Sequence, residues 1–97
     1  MTNSHDNVAT ISLQVQDVMV VEVNTASLNE EYEYSISDLE NKIIRKGYFR
    51  APLVQLRTSY MNDGEYLFHL YKAGKECFTE YFQKLDPLKV FESRLSF

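Results

Sequence analysis

Tryptophan is absent from these 97 residues, cysteine occurs once, proline and histidine twice each, and glycine three times. A lone Cys77 cannot close an internal disulfide, so stability has to come from packing, and the compartment stays open. No run approaches the roughly 18 apolar residues that a helical membrane span requires, so none is expected. The first 20 residues hold no Lys or Arg and no apolar core, and they do not read as a signal peptide. Basic residues are also missing from residues 1–41, which hold eight acids, whereas all ten bases fall between Lys42 and Arg94. With a pI near 5.1, nucleic acid is not an expected partner, because phosphate contacts need clustered Lys and Arg.

What is present is an ordinary globular mixture, 44% hydrophobic and 25% charged, too apolar for disorder. The length implies one domain. Residues 1–8 are polar and aperiodic and read as a flexible lead-in. From Ala9 the pattern acquires a period of two, the mark of a half-buried strand. "ATISLQV" puts Ile11, Leu13 and Val15 on one face, and the valines of "DVMVVEV" favour a second strand. "EYEYSIS" alternates most cleanly, with Tyr32, Tyr34 and Ile36 facing a core and Glu31, Glu33 and Ser35 facing water. "DLEN" supplies a turn and "KIIRKGYF" a strand, in which Gly47 implies a bulge or a close backbone approach. Pro52 marks an edge or a break before "LVQLRTS".

The segment "MNDGEYLFHLYKAGKECFTEYF" holds six of the thirteen tyrosine and phenylalanine residues. Its two glycines read as turns, and Tyr66, Phe68 and Leu70 as the core face of the strand between them. After Leu85, residues 86–97 open with Asp86-Pro87, a helix cap and first position, and space Leu88, Phe91 and Leu95 along one helical face. A short amphipathic C-terminal helix is expected, and a final strand over "LKVFES" is the competing reading. The expected fold is therefore all-β, an antiparallel β-sandwich of about seven short strands over residues 9–85, followed by the tail, and an α+β fold with the tail helix on one sheet is the runner-up.

From Glu31 to Leu85 the order of features resembles the small immunoglobulin-like domains of exported Bacteroidetes proteins, including the C-terminal sorting domains of type IX secretion. Ile36, Asp38, Lys42, Val54, Leu56, Gly64, Tyr66, Leu70, Gly74 and Phe82 stand at the matching places. Glu40 occupies the usual turn-glycine position, a Pro-Asn-Pro-like opening is missing, and twelve residues follow Leu85. The resemblance thus implies a stand-alone immunoglobulin-like module, extracytoplasmic and without catalytic residues, and not a sorting signal.

The groups available for chemistry are few. His69 on one strand and Cys77 on the next could form a base and nucleophile, against the simpler reading of a surface histidine and a small core thiol. Glu30, Glu31, Glu33 and Asp38 alternate sides along a strand and read as a solvated face instead of a calcium site. No catalytic residue, metal or cofactor is expected. Tyr48, Tyr60, Tyr71 and Tyr81 read as cross-strand pairs within one sheet or as a recognition face. Leu67, His69 and Tyr71 lie opposite the core-facing rings and need cover, from Phe91 and Leu95 of the tail or from a partner. The expected function is a non-enzymatic protein-interaction module acting through Leu67, His69, Tyr71, Tyr81, Phe91 and Leu95. The alternative is a self-assembling homodimer that uses the charge asymmetry or the tail.

Overall fold

The fold is that of residues 8–25 and 29–85 in a computed structural model. The expected C-terminal helix, with Phe91 and Leu95, lies outside the described residues, as does the lead-in up to residue 7. Eight strands follow one another: β1 (Ala9–Ile11), β2 (Gln14–Val15), β3 (Val18–Val23), β4 (Glu31–Asp38), β5 (Ile43–Arg50), β6 (Leu53–Arg57), β7 (Gly64–Lys72) and β8 (Lys75–Lys84). They form two sheets, a small one in the order β1-β3-β6 and a large one in the order β2-β8-β7-β4-β5. Every pairing is antiparallel except β2 with β8, which is parallel.

The two sheets divide the core by chemistry. The small sheet contributes aliphatic side chains, with Ile11, Met19, Val21, Val23 and Leu56 all buried. The large sheet answers with rings: Tyr32, Tyr34, Phe49, Tyr66, Phe68, Phe78 and Phe82. Ring contacts run across four strands, from Phe49 to Tyr34 at 6.2 Å, Tyr34 to Phe68 at 6.0 Å and Phe68 to Phe78 at 6.5 Å between centroids. Tyr66 stacks on Phe82 at 5.6 Å, and its hydroxyl donates to the carbonyl of Asn62. Such offset and tilted pairs add to area burial, and the buried phenol is satisfied.

Gly47 makes this arrangement possible on β5. It lies opposite Tyr34, and a Cβ there would stand 3.1 Å from the Tyr34 ring. The close-approach reading of this glycine therefore holds, while the bulge in β5 lies elsewhere, at Ile44, between the pairs Ile36–Arg45 and Ser37–Ile43. A second bulge leaves Cys77 without an opposite residue, because Leu70 pairs with Phe78 but Tyr71 with Glu76. Counting two by two from the hairpin would turn Phe78 and Phe82 outward. The extra residue reverses that parity and sends both rings into the core.

The first expected strand is broken in two. Between Ser12 and Leu13 the chain leaves the small sheet and joins the large one, as the bonds from Gln83 N to Leu13 O and from Leu85 N to Val15 O show. Ile11 and Val15 are buried as expected, but Leu13, at the crossing point, is exposed. The wet face expected of β4 also needs correction: Ser35 is buried, and so is Ser37 two places on, because β5 and β7 flank these small side chains on both sides.

Turn chemistry accounts for the connections. Asp38 Oδ1 accepts from the backbone of Glu40 and Lys42 between β4 and β5. Ala51-Pro52, a cis peptide, is where the chain crosses from β5 in one sheet to β6 in the other. The β7–β8 hairpin has positive φ at both Ala73 (53°) and Gly74 (81°), the two-residue turn whose twist matches paired strands.

Two stability measurements check this account. Phe68→Ala and Tyr66→Ala should each cost about 3–5 kcal/mol in urea unfolding, and losses below about 1 kcal/mol would contradict the ring core. Ala73→Asn should raise stability by about 1 kcal/mol, since asparagine tolerates the left-handed conformation better than alanine.

Candidate interaction face

Alternation along β7 sends Leu67, His69 and Tyr71 to the side of the large sheet that faces away from the small one. The register sets their neighbours: Tyr81 beside Leu67, Thr79 beside His69 and Glu76 beside Tyr71 on β8, and Ser37, Ser35 and Glu33 on β4. Four of the six expected interaction residues, Leu67, His69, Tyr71 and Tyr81, thus share one face. Leu67, His69 and Tyr71 are half-buried and Tyr81 is exposed. β5 completes the face with Ile43 opposite Ser37, Lys46 opposite Ser35 and Tyr48 opposite Glu33. Tyr48 is 65% exposed, the most open ring of the described residues.

Between the rings of Tyr81 and Tyr48 lies a polar strip whose groups bond one another. Ser37 Oγ is 2.9 Å from His69 Nε2, and His69 Nδ1 is 3.2 Å from Glu76 Oε1. Thr79 Oγ1 donates to Glu76 at 2.7 Å, and Ser35 shares a hydrogen bond with the Tyr71 hydroxyl. Ser37, His69 and Glu76 follow the order hydroxyl, imidazole, carboxylate that activates a nucleophile elsewhere. Here Ser37 is only 3% exposed, and its hydroxyl is engaged with His69 within the sheet. What the strip does is tie β4, β7 and β8 together across their ladders.

Ser37 and Glu76 were not legible as partners of His69. Each stands two ladder positions from the residue opposite His69, and the Cys77 bulge adds an extra residue between Thr79 and Glu76. The pairing of His69 with Cys77 is not what forms. The imidazole bonds to Ser37, Glu76 and Thr79, while Cys77 packs against the core, where burial pushes its thiol above the usual range.

Charge is used locally as well. Lys72 forms an ion pair with Glu30 and stands over the Tyr32 ring, and Glu31 faces Arg50 across β4 and β5. The Lys72 ammonium holds the Glu30 carboxyl below its ordinary range. Acidic β4 therefore lies between two strands of the basic half. Tyr60 stands apart from the face, beside Arg45, whose guanidinium donates to Arg57 O at 2.9 Å and lies over both Tyr34 and Tyr60. Among the described residues no three His, Cys, Asp or Glu side chains converge to hold a metal. No helix there is long and apolar enough to cross a membrane.

No protein-family model matches the chain, and no curated protein matches it.

A thiol held protonated by burial should alkylate slowly. At neutral pH Cys77 should react with iodoacetamide at least about tenfold more slowly than a free peptide thiol, rising only as the pH approaches its elevated ionisation range. A rate equal to that of the peptide would show that Cys77 is not packed against the core.

Proposed function

We propose that this chain is a non-enzymatic protein-interaction module that binds through the outer face of its large sheet. The observation that carries this reading is the placement of Tyr81 and Leu67 on one side of the polar strip and Tyr48 and Ile43 on the other. Rigid rings with polar tips are suited to contact a partner, and an internally bonded strip between them leaves few groups to desolvate. The order of strands in the two sheets, with β1 and β2 shared between them, supports the immunoglobulin-like reading of the sandwich. An exported or cell-surface setting is carried by the resemblance of residues 31–85 to the exported Bacteroidetes modules alone.

The alternative, a homodimer built on charge asymmetry, draws less support. Glu30 with Lys72, and Glu31 opposite Arg50, engage part of both charged halves within one chain.

Light scattering at low and high salt, combined with crosslinking capture, separates the two. A monomer at both salts is expected, with a partner whose capture falls at least about tenfold in Tyr81→Ala while the melting temperature holds. A dimer that dissociates as salt rises would favour assembly. Capture unaffected by Tyr81→Ala would remove the face from consideration.

A further inference from the structure

Among the described residues the large sheet ends at β5, eight residues bonded to β4 on one side only. Ala51 N donates to Glu30 O at the head of this ladder. Antiparallel pairs alternate, so Phe49, Gly47 and Arg45 exchange bonds with β4, and the backbone groups of Lys46, Tyr48 and Arg50 point away from the sheet. Such a row is a template for another strand, and proteins commonly shield it with proline, with charge or by shortness. β5 is neither short nor interrupted by proline, and its one bulge, at Ile44, lies before the stretch from Lys46 to Arg50.

Its charge is of one sign. Residues 41–50 hold Lys42, Arg45, Lys46 and Arg50 and no acid. Arg45 turns inward and is held by Arg57 O and Tyr60, which leaves Lys42 and Lys46 at the open edge, with Arg50 beside them opposite Glu31 and donating to Asn29 O. Two copies of β5 meeting edge to edge would bring these like charges together, an arrangement that opposes pairing. An acidic strand would meet the opposite sign. Ile43, Ile44 and Tyr48, all exposed, stand along the same edge as apolar grips.

We infer that β5 is a docking edge for an extended acidic peptide from another protein, which adds as a strand beside Lys46, Tyr48 and Arg50. This rests on the interaction-module reading and moves the contact from the face to the rim of the sheet. Backbone bonds supply register, and acids at alternate positions of the peptide lie next to Lys46 and Arg50 on the outer side.

The test uses the full chain and a fluorescein-labelled peptide of alternating Glu and Val, with a Lys–Val peptide as control. Anisotropy should show binding of the acidic probe alone, weakening with salt, and weakening at least about tenfold in Lys46→Glu/Arg50→Glu. Amide exchange of the bound chain should slow at Lys46, Tyr48 and Arg50. Equal binding of both probes, no binding, unchanged affinity in the charge-reversed variant, or slowed exchange elsewhere would each overturn the proposal. So would protection at these amides caused by pairing of two copies. If the probe fails while Tyr81→Ala still abolishes partner capture, the edge falls and the interaction face stands.

Discussion

The row of rings from Phe49 through Tyr34 and Phe68 to Phe78 is the element on which the other arrangements depend. It crosses β5, β4, β7 and β8, so four strands have to be in register before any ring finds its neighbour. Bulky rings on one sheet require slimmer side chains on the other, which the small sheet provides with Val21, Val23, Met19 and Leu56. One strand also has to yield space: Gly47 has no side chain where the Tyr34 ring lies.

Parity is the second consequence of the ring row. Two strands carry one residue too many, and in both the excess sits between a turn and the rings. Ile44 turns Arg45, Gly47 and Phe49 toward the core side of β5, and Cys77 does the same for Phe78 and Phe82 on β8. The outer face follows from this. Had β8 kept its parity from the hairpin, Tyr81 would face inward and Phe78 would lie in water beside His69. The candidate interaction residues are therefore the complement of the ring core.

Much of this was legible from residue types. The alternation of Tyr32, Tyr34 and Ile36, and of Tyr66, Phe68 and Leu70, located two strands and their buried sides, because side chains of a strand must alternate, and the branched valines between Val18 and Val23 located a third strand without its facing. Glycines at 64 and 74 marked turns for the same elementary reason that Pro52 marked a break. Bulges left no such trace, since one extra residue has no required identity; Ile44 and Cys77 read as ordinary strand members. The switch of sheets at Ser12 and Leu13 was hidden because the apolar alternation continues through it, and only pairing with β8 reveals that Leu13 turns outward. For the outer face, Leu67, His69, Tyr71 and Tyr81 could be grouped by alternation alone, whereas the bonds from His69 to Ser37 and Glu76 depend on register between strands distant in sequence.

The parallel pair of β2 and β8 joins the first and last parts of the sandwich side by side, both running the same way. A pull applied just before β2 and just after β8 loads these two strands in opposite directions along their length. The bonds from Gln83 to Leu13 and from Leu85 to Val15 then bear the tension together, in shear, and do not open one after another like a zip. A domain closed in this way resists stretching at the seam where its ends meet, a mechanical property that its hydrophobic core alone would not supply.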